Sequence, residues 1–487
     1  MKSTQDDSRL FFFIALGLAL ILTQKAKGLS PLEITFWGIF MLALAALAIL
    51  IWWQYKEFFA EKSVALRKRL NSIPSTLRDE DSAYLGHDLE LNLSIHLPDN
   101  IRSRHVHILG ATGSGKTESV ILNLIAHDAA NLRPIIILDA KGDASFLSFL
   151  NSKPFIQKRL QMFDLGSEIS PFAYDPICAG TNEEKVNRIM NSLRWSEEFY
   201  KEQARSVLKD IFEAARVQNV GLTFKDINAL LRSAESINKF LKAMEPVTKS
   251  QFEQIAGLRA QLRSLSTGVV GDNLSPNEER PTINLEQSIR NKRILYFRLQ
   301  SLLDSESVAA LGRMIVADLA SYTGHIHSRG AKDISFCPVF LDEFGSLACS
   351  AFVDLISKAR SAGLALHFSH QSMGDLKRVD PFLMQQVLDN SSTKIVMRIY
   401  DPETAEYLAR SFGTRLDRKL THKVESVNGE VELQEQGSLR EVQTFRASPN
   451  EMKYLPTGQG FAFIAHGEVH SREAASVHKL QFPKLAS

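Results

Sequence analysis

The sequence predicts an α/β protein with a parallel sheet at its centre. Short runs rich in β-branched and other apolar residues recur along the chain, and stretches with helical periodicity separate most of them. Several runs are apolar almost throughout, which is typical of strands covered on both faces. A glycine-rich loop lies between the first run and an amphipathic segment, as in a strand, loop and helix that bind phosphate. The predicted strands are 105–109, 134–139, 293–299, 337–342, 364–369, 394–399 and 461–466.

The glycine-rich loop has the sequence GATGSGKT. Its three glycines allow backbone N–H groups to turn inward around phosphate oxygens, where a side chain would clash. Lys116 is expected to reach the β- and γ-phosphates of ATP, and Thr117 to bind Mg²⁺. The helix that follows would place its N-terminus beside the same phosphates. The predicted ATP-binding residues are Gly110, Ala111, Thr112, Gly113, Ser114, Gly115, Lys116 and Thr117.

Two acidic residues stand at the end of the predicted strand 337–342. At a strand end beside the phosphate loop, Asp342 can reach the Mg²⁺ shell, and Glu343 can orient or deprotonate the attacking water. An acidic pair after an apolar strand is also an ordinary strand end. Because the phosphate loop is present, the sequence predicts ATP hydrolysis rather than nucleotide binding alone.

The predicted strand 364–369 has a candidate catalytic residue on each side. Gln371 follows its end, where a glutamine can contact the γ-phosphate or the attacking water. Arg360 lies about one helical turn before its start, where it can point out of its own subunit. A strand cap and a surface arginine are the alternative interpretations of these two residues.

The region between the strands at 134–139 and 293–299 has the hydrophobic pattern of helices rather than of strands. Its apolar residues fall at three- and four-residue spacing, and Thr181 and Glu184 have the pattern of a capping box. The sequence predicts an all-α insertion over 181–289, which divides a nucleotide-binding domain into residues 61–180 and 290–487. Near the end of that domain, Asn428 and Gly429 predict the turn of a β-hairpin.

Residues 1–60 are predicted to form a membrane anchor with two transmembrane helices. The two uncharged apolar segments lie at about 10–24 and 34–53, and the second is long enough to cross a bilayer. The first is short for a span, and the apolar centre of a signal peptide is its alternative. Basic residues follow the second segment, which places the ATPase domain in the cytoplasm.

Composition excludes some classes of site. The three cysteines, Cys178, Cys337 and Cys349, show neither a CxxC pattern nor a Cys/His cluster, so the sequence predicts reduced cysteines and no metal other than Mg²⁺. Lys and Arg number 57 against 55 Asp and Glu, so the chain has no overall basic excess for DNA. The best local candidate for DNA contact is the basic segment 410–423, and a solvated basic face is its alternative.

The order of several sequence blocks resembles the type IV coupling proteins of bacterial conjugation and secretion. The resemblance extends from the apolar N-terminal segments to about residue 466. It is carried by GATGSGKT, ILDAKGD, YDPI, the helical insertion, VFLDEFGSLA, RSAGLALHFSHQS and NSSTKIVMRIYDPETAEYLARSFG. The resemblance implies a RecA-like P-loop NTPase domain, anchored in the bacterial inner membrane and assembled as a homo-hexamer. Such a motor drives relaxase-bound DNA toward a type IV secretion channel.

The resemblance also implies a role for each candidate site residue. The lysine and threonine of the glycine loop match the phosphate-loop pair of the family. Asp342 and Glu343 match its metal and water acids. Gln371 matches the glutamine that contacts the γ-phosphate, and Arg360 matches an arginine finger presented to a neighbouring subunit.

Three functions are consistent with the sequence. The leading one is a DNA-stimulated ATP hydrolase that couples DNA, or protein substrates as an alternative cargo, to a secretion channel. The second is a membrane-tethered, chromosome-type DNA translocase, which would be expected to carry a separate DNA-reading domain after the motor. The third is a nucleotide-dependent membrane switch or scaffold, which would bind ATP without DNA-stimulated turnover.

Overall fold

The computed structural model describes residues 81–484, apart from 243, 277–279, 301–304, 331–333, 379–380, 428–429 and 467–474. The two predicted transmembrane segments therefore lie outside the described residues. Within the described part of the chain, no helix combines the length and the apolar character needed to cross a bilayer.

The described strands form one eleven-stranded mixed sheet and a separate two-stranded hairpin. Across the large sheet the strand order is β2-β1-β13-β12-β9-β3-β8-β7-β4-β6-β5. The strands are β1 (Ser82–Asp88), β2 (Ser94–Pro98), β3 (Val106–Leu109), β4 (Ile135–Asp139), β5 (Leu160–Asp164), β6 (Ile294–Arg298), β7 (Cys337–Asp342), β8 (Leu364–His370), β9 (Thr393–Val396), β10 (Thr414–Val427), β11 (Glu430–Phe445), β12 (Gln459–Ala465) and β13 (Ala475–Gln481).

The strands from β9 to β5 run parallel, which confirms the predicted large parallel sheet. One side of the sheet, which includes the predicted strand 461–466, is antiparallel instead. There β12 pairs antiparallel with β9, and β13, β1 and β2 continue in antiparallel pairs. Nine residues separate β12 from β13, fewer than the dozen or so that a crossover between parallel neighbours requires, so these two strands pair antiparallel.

The parallel sheet is covered on both faces. In β4, Ile136 and Leu138 belong to one hydrophobic core, whereas Ile135 and Ile137 belong to another. Successive side chains of a strand point to opposite faces, so the two cores lie on opposite sides of the sheet. This explains why the central strands read as continuous apolar runs in the sequence.

Helices fill the connections between strands. Before the insertion they are α1 (Asp99–Arg102), a π-helical turn (Lys116–Ile121), α2 (Leu122–Ala130), α3 (Ala144–Ser152) and α4 (Pro154–Gln157). After β6 they are α13 (Ser305–Arg329), a 3₁₀ turn (Phe344–Ser346), α14 (Ser350–Lys358), a 3₁₀ turn (Ala359–Ala362), α15 (Met373–Lys377), α16 (Pro381–Asn390), α17 (Pro402–Phe412) and α18 (Pro449–Lys453).

The segment between β5 and β6 is helical where the periodicity predicts helices. It contains α5 (Asn182–Ser192), α6 (Glu198–Gln218), α7 (Phe224–Leu230), α8 (Ala234–Leu241), α9 (Lys249–Gln254), α10 (Ala256–Ser266), α11 (Gly268–Asn273) and α12 (Leu285–Arg290). The predicted capping box is confirmed, because Thr181 Oγ1 accepts a hydrogen bond from Glu184 N–H while Glu184 Oε2 accepts one from Thr181 N–H. The buried residues of these helices form one hydrophobic core with one face of the sheet.

The second sheet is the hairpin of β10 and β11. Its strands pair antiparallel, and Val427 lies opposite Glu430. The predicted hairpin is therefore confirmed in its strands, while its turn at 428–429 lies outside the described residues.

Candidate nucleotide-binding site

The sheet brings three strand ends together at one edge. β3 leads into the glycine loop, β7 ends at Asp342, and β8 ends at His370. β8 lies between the other two and is parallel to both. The carboxyl ends of adjacent parallel strands form the usual ligand-binding edge of an open α/β sheet.

The glycine loop has the backbone that phosphate binding requires. Gly115 has φ = 100°, a conformation that other residues rarely adopt. At Gly110, a Cβ atom would lie 2.7 Å from Ser114 Oγ and 3.0 Å from Met397 Cβ. Lys116 then begins the π-helical turn that continues into α2. The loop therefore passes from a buried strand to a helical N-terminus at the position where phosphate oxygens would lie.

Residues far away in the sequence hold the glycine loop in place. Ala111 N–H donates to Arg398 O over 2.7 Å, and Gly458 N–H donates to Ser114 O over 3.0 Å. Thr457 Oγ1 donates to the carbonyl of Gly113 over 3.2 Å. The segments after β9 and before β12 thus support the loop, and sequence motifs alone did not identify them.

Lys116 is buried within the loop. Its Nζ donates to the carbonyl of Gly110 over 2.6 Å, and only 6% of the residue is exposed. Burial lowers the pKa of Lys116, and the nearby charges of Glu343 and Asp342 oppose that effect. Because the ammonium has already lost most of its water, exchanging a carbonyl for a phosphate oxygen would cost it little further hydration.

Thr117 and Asp342 fit a Mg²⁺ ion. Thr117 Oγ1 donates to Asp342 Oδ2 over 2.9 Å. Adjacent ligands of an octahedral Mg²⁺ at about 2.1 Å lie about 3 Å apart, and hydroxyl and carboxylate oxygens are ligands that this ion accepts. The other carboxylate oxygen, Oδ1, accepts a hydrogen bond from Ser369 Oγ. Asp342 is therefore held with one oxygen toward Thr117 and the other toward β8.

Glu343 and Gln371 face each other beside this pair. Glu343 has a left-handed backbone with φ = 54° and ψ = 46°, which is uncommon for a residue with a side chain. Its N–H lies 3.2 Å from Asp342 Oδ1 and 3.4 Å from Ser369 Oγ. Gln371 Nε2 lies 3.4 Å from both carboxylate oxygens of Glu343. The structure therefore brings together the predicted metal acid, water acid and γ-phosphate glutamine.

Arg360 is not part of this arrangement in its own chain. It lies in the 3₁₀ turn before β8, whereas Gln371 lies just beyond the other end of that strand. β8 has seven residues, so about 20 Å separates the two positions. Arg360 is exposed at the opposite edge of the sheet, and a role for it in catalysis requires a neighbouring subunit.

The turn after β4 is a further part of the site edge that sequence reasoning did not single out. The Asp139 carboxylate accepts hydrogen bonds from the N–H groups of Lys141, Gly142 and Asp143 over 2.7 to 3.0 Å. Tyr296 Oη donates to the same carboxylate over 2.9 Å. β4 pairs with β7, and Asp139 lies opposite Asp342 in the register. The ILDAKGD block contained this turn, and its glycine between two acids was the available signal.

The chain has recognisable sequence and structural relatives. The family model described as the type IV secretion-system coupling protein DNA-binding domain matches residues 92–471. The chain belongs to the type IV secretion-system coupling protein family. The resemblance inferred from the sequence blocks is thereby confirmed. No curated protein matches the chain.

Solved structures share the fold of this coupling protein. The unbound monoclinic form of the bacterial conjugative coupling protein TrwBΔN70 is similar with a TM-score of 0.61 and 16% identity, over 81% of this chain and 89% of that one. The plasmid coupling protein TrwB in complex with ADP and Mg²⁺ gives a TM-score of 0.57 and 15% identity, over 80% and 88%. VirB4 of Thermoanaerobacter pseudethanolicus gives a TM-score of 0.56 and 12% identity, over 84% of this chain and 98% of that one. The mixed α/β architecture is therefore the RecA-like nucleotide-binding fold of the TrwB structures.

Proposed function

We propose that this coupling protein is a membrane-anchored ATPase motor that delivers relaxase-bound DNA to a type IV secretion channel during bacterial conjugation. The observation that supports the motor role most directly is the meeting of the glycine loop, the Thr117–Asp342 pair and the Glu343–Gln371 pair at one sheet edge. The TrwB relatives are named as conjugative and plasmid coupling proteins, and one is a complex with ADP and Mg²⁺.

Each side chain of the site has a task in ATP hydrolysis. The loop amides and Lys116 would bind the β- and γ-phosphates, and Thr117 and Asp342 would hold Mg²⁺. When bound, Mg²⁺ would supply positive charge to the phosphate oxygens. Glu343 orients the attacking water or accepts its proton, while Gln371 contacts the γ-phosphate. In a homo-hexamer, Arg360 of one subunit neutralises charge at the nucleotide of the next.

The proposed DNA contact uses local rather than overall charge. Two arginines of the basic segment 410–423 form exposed ion pairs. Arg410 lies 3.8 Å from Glu406, and Arg415 lies 3.6 Å from Glu90. All four side chains are more than half exposed. Exposed ion pairs contribute little free energy, so a DNA phosphate can replace the acid at small cost. The same charges could face the pore of a ring without changing the net charge of the chain.

The first test measures ATP turnover of the full-length protein with Mg²⁺, with and without DNA. Lys116→Ala should abolish turnover, because the ammonium supplies charge to the phosphates. Lys158→Ala is the matched control, since this lysine is exposed on the loop before β5. Melting temperatures of both variants report whether the fold is retained.

DNA should raise wild-type turnover, and the stimulation should decrease steeply with salt because it depends on phosphate contacts. Undiminished turnover of Lys116→Ala would remove the glycine loop from the mechanism. ATP binding without any DNA stimulation would favour the switch or scaffold over the motor.

A further inference from the structure

The end of β8 and the residue that follows it contact different parts of the nucleotide site. Ser369 Oγ donates to Asp342, and Gln371 Nε2 approaches Glu343. Between them, the carbonyl of His370 accepts a hydrogen bond from Gly110 N–H over 3.3 Å. The proposed mechanism gives no role to the His370 side chain, which is fully buried.

His370 is paired with a second buried histidine, His107 on β3. In the parallel register His107 lies opposite Phe368, so His370 is its diagonal neighbour on the same face of the sheet. The two Nε2 atoms are 2.6 Å apart. The ring centroids are 4.8 Å apart, and the ring planes differ by only 20°. Nearly coplanar rings at these distances form an in-plane N–H···N hydrogen bond rather than a face-to-face stack.

The hydrogen bonds determine which ring nitrogen carries each proton. His370 Nδ1 lies 2.7 Å from the carbonyl of Ser372, which can only accept, so Nδ1 of His370 is the donor. In a neutral His370 ring, Nε2 is then the acceptor, and Nε2–H of His107 donates to it. Nδ1 of His107 then carries a lone pair and no proton. This atom is buried without a hydrogen-bond partner among the described residues.

A charged His370 would gain from the Asp375 carboxylate, whose Oδ2 lies 3.8 Å from its Nδ1, but it would change the hydrogen bonds of His107. It would place an N–H donor instead of a lone pair at the unpartnered Nδ1 of His107, and an unpaired buried donor costs free energy. Burial holds the pKa of His107 well below its usual range, and the nearby positive charge of Lys394 acts in the same direction. The hydrogen bonds of the two rings therefore favour one direction, from Nε2–H of His107 to Nε2 of His370.

The carbonyl of Ser372 belongs to the turn that carries Gln371. The Asp375 carboxylate, which lies beside the same ring nitrogen of His370, accepts hydrogen bonds from the N–H groups of Gln371 and Ser372, both over 3.1 Å. The turn is thus held by a carboxylate at its N–H groups and by the His370 ring at its carbonyl. Displacing the carbonyl would rotate the peptides that set the direction of the Gln371 side chain.

We propose that His107 and His370 are positioning residues, which hold the Gln371 turn in register with the glycine loop. His107 fixes the tautomer of His370, and His370 fixes the carbonyl of Ser372. The inference rests on the proposed ATPase function, because its consequence is the placement of Gln371 for turnover.

Substitutions by asparagine and glutamine distinguish this role from a packing role. The side-chain amide of Asn can replace the N–H at Nδ1 of histidine, and the side-chain amide of Gln can replace the N–H at Nε2. His370→Asn and His107→Gln retain the required donors and should keep kcat within about threefold of wild type. His370→Gln and His107→Asn lose them and should lower kcat by about tenfold or more. The KM for ATP should change little in all four, since the glycine loop itself is intact.

A double variant tests whether His107 acts through His370. In the His370→Asn background, His107→Asn should cause no further loss of kcat, because no imidazole tautomer remains to be fixed. An equal loss in both backgrounds would overturn the inference. So would a loss of kcat in all four single variants that merely follows their melting temperatures, because that is the result expected of packing alone.

Two further measurements keep the inference separate from the proposed function. If wild-type protein shows no ATP turnover, the proposed function fails. The hydrogen bond between His107 and His370 can still be tested by solid-state NMR of full-length protein labelled with ¹⁵N-histidine. That experiment should show Nε2–H for His107 and Nδ1–H for His370, assigned by the signals lost in each variant. The opposite tautomers would overturn the inference. Unchanged kcat in Gln371→Ala together with reduced kcat in His370→Gln would also overturn it.

Discussion

At the scale of single residues, the hydroxyl of Ser369 helps to orient the Asp342 carboxylate. Its Oδ2 faces Thr117, while its Oδ1 accepts hydrogen bonds from Ser369 Oγ and from Glu343 N–H. The Ser369 hydroxyl is therefore positioned to prevent rotation of the carboxylate. Partners that orient a metal ligand commonly affect metal affinity or activity by about 10- to 100-fold.

Ser369→Ala should accordingly raise the Mg²⁺ concentration needed for half-maximal ATP turnover by about tenfold. A Mg²⁺ titration at saturating ATP measures this shift. Ser152→Ala is a suitable control, because its exposed hydroxyl only donates to the carbonyl of Phe149. Equal Mg²⁺ dependence in wild type and Ser369→Ala would show that Asp342 is oriented without this serine.

The local motifs predicted some residues of the site and not others, for a physical reason. Lys116, Thr117 and Asp342 could be predicted because each stands at a fixed position in a short motif or at a strand end. Ser369 and His370 could not, because their importance depends on the register between β8 and its neighbours. Register across parallel strands is set by contacts between distant parts of the chain, which one sequence does not display.

At the scale of elements, the turn from β4 to α3 depends on one glycine. Gly142 has φ = 72°, and a Cβ atom there would lie 2.3 Å from Gln300 Cγ and 3.1 Å from Gln300 Cα. Its carbonyl also accepts a hydrogen bond from Arg298 Nη2 over 3.0 Å. Both the backbone conformation and the space around the residue exclude a side chain.

Gly142→Ala should lower the free energy of unfolding by about 1–3 kcal/mol, through backbone strain and overpacking. Gly257→Ala is the contrasting control, because Gly257 lies in α10 and a methyl group added there would have no atom within 4 Å apart from its chain neighbours and the backbone of its own helix. That substitution should instead raise the free energy of unfolding by about 0.5–1 kcal/mol. Urea denaturation of both variants measures the difference, and equal midpoints would contradict the strain at Gly142.

The elements that could be predicted are those with a strong periodic signal. Buried strands such as β4 and β7 are apolar at nearly every position, and the capping box at Thr181 marks the start of α5. Strands β1, β2, β5 and β13 were missed because polar residues interrupt their apolar residues and none of them is buried along its whole length. The direction of β12 could not be predicted, because an apolar run does not indicate which way its neighbour runs.

At the scale of the whole molecule, the two ends of β8 face different directions. The glycine loop and Gln371 lie at one edge of the sheet, and Arg360 lies exposed at the other. If subunits pack head to tail in a closed ring, the edge that carries Arg360 can meet the nucleotide edge of the next subunit. The position of Arg360 supports an action between subunits and opposes an action within one.

Arg360→Ala should leave nucleotide affinity nearly unchanged and reduce turnover by about 10³-fold or more, as losses of arginine fingers do. Glu343→Gln should also be inactive alone. Mixing the two variants should restore part of the ATPase activity, because some interfaces then combine an intact Glu343 with an intact Arg360.

The mixing experiment needs a control for surface arginines in general. Arg232→Ala, at an exposed position just beyond the end of α7, should keep full turnover. Full turnover of Arg360→Ala by itself would identify Arg360 as an ordinary surface arginine. An inactive Arg360→Ala without recovery on mixing would argue against independent firing of single interfaces.

The length of β8 has a mechanical consequence in such a ring. The strand is buried along all seven residues and hydrogen-bonded on both sides, so a displacement at one end would be passed to the other. Arg360, before the start of β8, would respond to the loss of phosphate from the neighbour's nucleotide. Gln371, after the end of β8, lies at the nucleotide site of its own subunit. In such a ring, β8 would connect the nucleotide site of its own subunit to that of the neighbour without a flexible segment between them.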